Sequence, residues 1–404
     1  MLSLVAAPTP LPTAPSPEGG AAGTLLRTVL TTGPLTRTAL GLATGLSPAA
    51  VSRHTTELIS LGLLRDLPPN GPPRAGRPRL PLDIDTRGHL AAGVHIGVPW
   101  LTFALLDLRG RVVARERLPR QGDARTVLRT VRAHLPGFTT RRAAGRPVLG
   151  LGVVTGGWVD TEHGTVVEHT PLGWHDVPVR DLLAGATRLP VHLDGHARAL
   201  ARAELLFGAP AGATELVHLF VGNVVDAAIA AGGTVLRGRR SRAGDIGHLP
   251  VPGSTEPCPC GRTGCLQATV SDHALVRRAR QQGLHPAPDL ERLMALAAAG
   301  EPRVLELFRE RLRLIAPAAA LLLDVLGPDV LVLTEAGLAA APELGHYARQ
   351  QIRRHTRADP AHLVTAGSFG TDALAVAACA GVLDSVYRRP MELRTAAAGG
   401  STPH

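Results

Sequence analysis

Residues 91–118 read AAGVHIGVPWLTFALLDLRGRVVARERL, and this stretch decides the fold class of most of the chain. Its apolar residues occur in runs of strand length, separated by a tight-turn signal at Asp107 to Gly110. Three further apolar runs follow at residues 148–160, 215–233 and 329–337, and segments of helical periodicity separate them. Strands that alternate with helices in this way predict an α/β domain of about 300 residues, large enough for two lobes.

The composition favours a folded chain and excludes several classes of protein. Of the 404 residues, 45% are hydrophobic and 19% are charged, so sizeable cores can be buried and global disorder is not expected. The formal net charge is +10, and all 43 basic residues are arginines. This charge suits a polyanionic partner, although a basic, arginine-biased protein without such a partner would look the same. Apolar runs fall short of the ~20 residues of a membrane span, and early prolines exclude a secretory signal.

Residues 24–64 carry the caps and the apolar spacing of three short helices. The second begins near Thr36 and stops at Gly45, and the third has Ser47 as its N-cap. Two helices joined by a Thr-Gly-Leu-Ser turn have the spacing of a helix-turn-helix, whose second helix enters the major groove of DNA. The DNA contacts predicted on its open face are Ser47, Ala49, Ala50, Ser52, Arg53 and Thr56.

A wing is predicted directly behind these helices. LLRD at 63–66 and RLPL at 79–82 resemble its two strands, and the loop between them carries three arginines suited to a narrow minor groove. These arginines are Arg74, Arg77 and Arg79. The alternative is an ordinary helical bundle with a proline-rich linker. We favour DNA binding because the arginine-bearing loop follows the helix-turn-helix directly.

The most specific motif is GDIGHLPVPGSTEPCPCGRTGCLQ at residues 244–267. It places His248, Cys258, Cys260 and Cys265 in the spacing His-x9-Cys-x-Cys-x4-Cys. Three thiolates and one imidazole make a closed tetrahedral site, so Zn²⁺ is predicted here in a structural role. A free-thiol cluster or a stray disulfide is the alternative. Because metal-ligating cysteines indicate a reducing compartment, a cytoplasmic protein is expected, with Cys379 as a core residue.

Two of these motifs resemble those of the ROK family of repressors and sugar kinases. GPLTRTALGLATGLSPAAVSRHTTELISLGLLRD at 33–66, followed by AGRPR, is similar to the ROK winged helix, and residues 244–267 match the ROK zinc signature at all four ligand positions. The resemblance implies a winged helix-turn-helix joined to a two-lobed, actin-like (ribonuclease H-like) ATPase-type domain. The domains expected are a disordered arm at 1–21, the winged helix at 22–82, the ROK-type domain at 83–388 with its zinc segment at 245–267, and a flexible tail at 389–404.

The residues that a ROK sugar kinase needs are changed. In the first phosphate loop Pro99 removes a backbone N–H and His95 replaces the acid. In the second loop, residues 222–226, bulky side chains stand where close approach is required. The Glu-Asn-Asp of the kinases corresponds here to Asp194, Gly195 and His196. His196 could act as a base, but we favour a strand-to-helix turn with incidental polar residues and expect no enzyme activity.

The resemblance also implies an effector pocket formed by Asp194, His196, Asp245 and His248. His248 is retained from the family, whereas Asp245 replaces a Glu, Gln267 replaces a Glu and Pro171 replaces an Asn. A pocket changed in this way binds a ligand different from that of the relatives, or none.

Together these features predict a DNA-binding transcriptional regulator of the repressor type. Its expected partners are a double-stranded DNA operator and a sugar or sugar-derivative effector, and it is expected to act as a homodimer or homotetramer away from any membrane. One alternative is a ROK sugar kinase, which ATP turnover would reveal. Another is a regulator without a small-molecule effector, controlled by a protein partner, in which case ligands would leave operator binding unchanged.

Overall fold

A computed structural model of the chain describes residues 20–68, 80–210, 212–284 and 289–393. They form two compact units, one made of the residues up to Asp85 together with those from Ser385 onward, and the other made of Thr86–Asp384. The predicted arm and tail lie almost entirely outside the described residues. Within the described ranges, no helix is both long and apolar enough to cross a membrane.

Among its described residues, the first unit contains three complete helices and a small antiparallel sheet of order β1-β3-β2. Its elements are α1 (Gly20–Thr32), β1 (Leu35–Thr36), α2 (Arg37–Thr44), α3 (Pro48–Ser60), β2 (Leu64–Asp66) and β3 (Pro81–Ile84). The helix boundaries follow from local capping. Thr36 Oγ1 accepts a hydrogen bond from the Ala39 N–H at 3.2 Å, and Ser47 Oγ accepts one from the Ala50 N–H at 3.3 Å. Gly45, with φ of 69°, ends α2 in the left-handed conformation that glycine adopts at least cost.

The wing strands differ slightly from the prediction. The second strand is β3, which begins at Pro81 instead of residue 79, and it pairs with both β1 and β2. The pairing Leu35↔Leu82 ties the wing to the segment before α2, a contact that the local pattern did not indicate. The loop residues Arg74, Arg77 and Arg79 lie outside the described residues.

The second unit contains thirteen strands and eleven helices among its described residues. Its strands are β4 (Leu90–Ile96), β5 (Trp100–Leu106), β6 (Val112–Pro119), β7 (Val148–Thr155), β8 (Trp158–Asp160), β9 (Thr165–His169), β10 (Trp174–Val177), β11 (Val191–Gly195), β12 (Leu216–Val221), β13 (Val225–Ala231), β14 (Thr234–Val235), β15 (Val330–Glu335) and β16 (Val364–Ala366). Its helices are α4 (Ala124–Arg142), α5 (Val179–Thr187), α6 (His196–Phe207), α7 (Leu266–Val270), α8 (Asp272–Gln281), α9 (Leu290–Ala298), α10 (Pro302–Leu326), α11 (Ala336–Ala340), α12 (Leu344–Arg353), α13 (Pro360–Leu363) and α14 (Ala373–Arg388), the last of which continues into the first unit.

Two five-stranded sheets organise this unit into two lobes. The first has the order β11-β7-β4-β5-β6 and the second has the order β14-β13-β12-β15-β16, while β8, β9 and β10 form a small separate sheet. The central strands β4 and β12 are buried along their whole length, which explains why their sequences are continuous apolar runs. This architecture agrees with the predicted two-lobed α/β fold.

Small residues let α14 pack directly on the first sheet. A Cβ added at Gly152 of β7 would lie 1.7 Å from the Ala378 carbonyl oxygen, and one at Gly93 of β4 would lie 2.6 Å from Cys379 Sγ. Cys379 is fully buried, as its Ala-rich setting predicted. A chain with 3% aromatic residues therefore builds this interface by close backbone approach instead of bulky side chains.

Candidate functional site

One face of helix α3 packs into the core of the first unit, and the opposite face is exposed to solvent and is called the open face. Its buried residues, Val51, Thr55 and Leu58, recur at the spacing of successive helical turns and face α1 and α2. The predicted DNA-contact residues Ser47, Ala49, Ser52, Arg53 and Thr56 are exposed, and Ala50 is half-buried. The open face thus presents small and hydroxyl side chains around a single guanidinium group.

The four predicted metal ligands come together in the segment between β14 and α7. The ligand atoms of His248, Cys258, Cys260 and Cys265 all lie within 4.8 Å of one another. Cys258 Sγ is 3.7 Å from His248 Nδ1, and Cys260 Sγ is 3.7 Å from Cys265 Sγ. This cluster can hold a metal ion.

The donor set and its spacing fit a tetrahedral metal ion and do not fit a disulfide. With zinc–sulfur bonds of about 2.3 Å, two sulfurs of a tetrahedral site lie about 3.8 Å apart. The 3.7 Å between the sulfurs of Cys260 and Cys265 agrees with that value and is far too long for a disulfide. Hydrogen bonds from Arg262 lower the pKa of the Cys260 thiol to about 6, whereas burial raises that of the Cys265 thiol to about 11. Without a bound ion, the thiolate form that binds metals is therefore favoured at Cys260 and disfavoured at Cys265.

A cavity of about 240 Å³ lies beside this cluster, and Asp245 and His248 both line it. Burial raises the pKa of Asp226 in its wall to about 7, with Arg198 opposing the shift. At neutral pH this carboxyl group can therefore donate as well as accept hydrogen bonds. The wall of this cavity also includes Trp158, Glu168, Pro171, Arg242 and Gln267.

The cavity wall is held in place by contacts across several elements. Gln267 Oε1 accepts a hydrogen bond from the Val225 N–H at 3.2 Å, which ties α7 to β13. The guanidinium groups of Arg240 and Arg242 lie 4.9 Å and 4.5 Å from the centroid of the Trp158 ring. Arg242 also pairs with Asp245 at 2.6 Å, so one of the predicted effector residues is already oriented.

Asp194 does not line this cavity, which corrects the prediction that it shares a pocket with Asp245 and His248. Its carboxylate accepts hydrogen bonds from Arg198 Nε and from Arg202 Nη1, each at 2.7 Å. Burial would raise the pKa of Asp194, but these two arginines hold it well below its usual range. The carboxylate is fully engaged within the protein and is not available to a ligand.

His196 also lies elsewhere, in a second cavity between the two five-stranded sheets. It is the first residue of α6, and its Nε2 atom is 3.0 Å from Nε2 of His95 at the end of β4. Burial lowers the pKa of both histidines, that of His95 to about 3, so both are neutral at neutral pH. Two neutral histidines thus stand at positions where, according to the family resemblance, a sugar kinase has acidic residues. The two residues are too far apart in sequence for their contact to be predicted.

Comparison with known proteins places the chain in a family. The model of the ROK family matches residues 91–382. A transcriptional regulator of Mycobacterium tuberculosis is 33% identical over 348 residues, which are 80% of this chain and 76% of that protein. A xylose repressor of Caldicellulosiruptor bescii is 29% identical over 255 residues, 62% of this chain and 64% of that protein.

A solved structure of a ROK family protein is similar to the chain over a longer stretch. The crystal structure of a ROK family transcriptional regulator, a homologue of the Escherichia coli MLC protein, superposes with a TM-score of 0.73 at 25% identity, covering 91% of this chain and 96% of that one. The family model spans more than half of the sequence, and the mycobacterial relative is similar over most of its length. The chain belongs to the ROK family.

Proposed function

We propose that this protein is a DNA-binding transcriptional regulator of the repressor type that responds to a sugar or a sugar derivative. The observation that carries the proposal is the open face of α3, positioned by the capped turn at Gly45 and Ser47 in a chain whose second unit is of the ROK type. The names of the mycobacterial regulator and of the xylose repressor support it.

The DNA-binding surface that we propose combines α3 with the wing. The small residues at the start of α3 allow close approach to the groove, and the exposed Arg53 provides a contact to guanine or phosphate. Arg74, Arg77 and Arg79, in the loop between β2 and β3, are proposed as minor-groove contacts. A homodimer would present this surface twice and a homotetramer four times, and two copies suit a pseudo-palindromic operator.

The effector site that we propose is the cavity lined by Asp245 and His248. Its wall offers carboxyl, amide and indole groups, which match the hydroxyl groups and apolar ring faces of a sugar. Its differences from the family pattern at Pro171 and Gln267 favour a ligand other than that of the xylose repressor. We propose a sugar derivative on this basis.

The metal that we propose for the cluster is structural Zn²⁺, held by His248, Cys258, Cys260 and Cys265. When bound, such an ion supplies folding energy and leaves no open coordination position. Because His248 lines the cavity as well as the cluster, the metal site and the effector site share a side chain. We therefore expect loss of the metal to change the response to the effector.

We further propose that the protein is not a sugar kinase, which is the second candidate function within the family. His95 and His196 are bonded to each other, Asp194 is paired with two arginines, and Pro99 lacks the N–H that a phosphate would need. None of these groups can act as the carboxylate base of a kinase.

Selection of genomic DNA fragments on the purified full-length protein tests the proposal. We expect enrichment of fragments that contain a pseudo-palindrome with half-sites about one or two helical turns apart. Sugars and sugar derivatives are then added to the enriched complexes, and at least one is expected to change the affinity. Recovery of random fragments alone would overturn DNA recognition, and a response to no sugar would favour control by a protein partner.

A further inference from the structure

The second cavity, between the two five-stranded sheets, is larger than the proposed effector site and has a different chemistry. Its volume is about 660 Å³, within the range of about 300–1,000 Å³ that small-molecule sites occupy. It lies between the turn after β4 and the turn after β12, where the family resemblance places the phosphate loops. Its apolar wall is formed by Val98, Pro99, Trp100, Phe220, Val224, Leu290, Met294, Leu374 and Ala375.

The two arginine side chains of the wall are already paired with carboxylates of the protein. Arg115 pairs with Asp372, and Arg117 pairs with Glu291 at 2.5 Å. These two ion pairs join β6 of the first lobe to residues of the second lobe.

The remaining two charged groups of the wall also have partners within the protein. Asp272 pairs with the buried Arg311 at 2.8 Å, and Asp289 caps α9 by accepting a hydrogen bond from the Arg292 N–H at 2.7 Å. Among the described residues that line the cavity, both arginines are therefore paired with carboxylates, and the three acidic residues Asp272, Asp289 and Glu291 each accept a hydrogen bond or an ion pair from the protein.

The polar groups of the cavity are uncharged as well. His95 and His196 bond to each other, and burial lowers the pKa of His169 to about 4, so the three histidines are neutral at neutral pH. A triphosphate placed here would lose its hydration, would meet three carboxylates and two arginines that are already paired, and would find no N–H at Pro99. The chemistry disfavours an anion and favours an uncharged molecule with a large apolar body.

We propose that this cavity is a second ligand site, which takes an uncharged, largely apolar small molecule with an aromatic or branched aliphatic body in place of a nucleotide. Trp100, whose ring lies 4.6 Å from the guanidinium of Arg117, forms part of the wall, and Met294 of α9 faces it from the other lobe. The two cavities adjoin at Val224, which lines both, but the charged and polar residues named for the proposed sugar site do not line the second cavity.

Titration of the full-length protein with the neutral dye 1-N-phenylnaphthylamine tests the proposal. We expect saturable enhancement of dye emission with one dye per chain, and quenching of tryptophan emission by energy transfer that is reduced in Trp100→Phe. Met294→Trp, which fills the cavity from a half-buried position, is expected to weaken dye binding about tenfold, whereas Met294→Leu keeps the affinity within about twofold.

Three outcomes would overturn the proposal. The first is dye emission that rises without saturation. The second is energy transfer unchanged in Trp100→Phe together with unchanged affinity in a folded Met294→Trp protein, because the dye would then bind elsewhere. The third is displacement of the dye by ATP, which would identify a nucleotide site. The energy-transfer measurement does not depend on the folding of the Met294 variants.

Discussion

At the scale of single residues, the buried carboxylate of Asp194 organises the start of α6. Arg198 and Arg202 follow it at intervals of four residues, so the helix brings both guanidinium groups to the same carboxylate. Arg202 also pairs with Asp384 of α14 at 3.2 Å, which links two helices and the end of β11. Removing the carboxylate would leave two buried cations without their main partner.

Asp194→Asn is therefore expected to destabilise the protein by about 3–5 kcal/mol at neutral pH, as measured by urea unfolding. Because the folded pKa of Asp194 lies below the 3.8 of an unperturbed Asp, its stabilising contribution is fully present above about pH 4 and is lost as the pH falls through the lower folded value. The difference between the variant and the wild type should thus shrink in strong acid. Asp181→Asn, at an exposed position of α5, is the control. Equal losses in the two variants would contradict this role.

The residue scale also shows where reasoning from sequence failed. Asp194 and His196 were expected in one pocket with Asp245 because of their position in the family pattern. However, the backbone changes from strand to helix at Gly195, so the two side chains enter different surroundings. The spacing of Asp194, Arg198 and Arg202 was visible in the sequence and could have indicated the ion pairs.

At the scale of elements, the segment between His248 and Cys265 has few buried apolar contacts to stabilise its fold, so a bound metal would be its main source of stability. Its backbone closes through hydrogen bonds such as that from the Val251 N–H to the Gly264 carbonyl at 2.7 Å, and it contains few large apolar residues. Zinc in small structural sites contributes about 10–16 kcal/mol of apparent binding energy, which would supply the missing ordering energy here.

Elemental analysis is expected to find one zinc ion per chain. Cys260→Ser should lose most of the metal and melt at a lower temperature, while the winged helix keeps weak DNA affinity. Cys379→Ser also removes a cysteine, but it should retain its zinc because Cys379 lies in the core away from the cluster. Protein that contains no zinc, and whose melting temperature a strong chelator leaves unchanged, would show the assignment to be wrong.

Element boundaries could be predicted where local chemistry sets them. Thr36, Gly45 and Ser47 identified the ends of α2 and α3, and continuous apolar runs identified β4, β7, β12 and β15. The start of α1 at Gly20 and the position of β3 were less accurate. Strand β3 is fixed by pairing with β1, a contact distant in sequence that no local pattern contains.

At the scale of the whole molecule, the chain has the two-lobed ROK fold, and we propose that it lacks the kinase activity found in part of that family. A coupled ADP assay with common hexoses and N-acetylhexosamines is expected to show no turnover above background, because burial lowers the pKa of His95 and of His196, which makes both weak bases, and because they are bonded to each other. Turnover that disappears in His196→Ala would contradict this expectation. The described residues from Ser385 onward group with the N-terminal unit. Nothing in the sequence indicated this grouping, because it depends on contacts between residues that are distant in the chain.

We propose above that α3 recognises the base sequence of an operator. The direct measure of such recognition is the ratio of the protein's affinity for a specific DNA fragment to its affinity for random DNA. Gel shifts at one salt concentration compare an enriched genomic fragment with random DNA for the wild type, for Arg53→Ala and for Arg132→Ala, the last an exposed arginine of α4 that serves as the matched control.

A large ratio of specific to non-specific affinity is expected for the wild type and for Arg132→Ala. If Arg53 contacts a base, Arg53→Ala should lose about 1–3 kcal/mol of specific binding, and if it contacts a phosphate, the salt slope should fall by about one unit. A wild-type ratio near one, or identical binding by all three proteins, would show that α3 does not recognise an operator through Arg53.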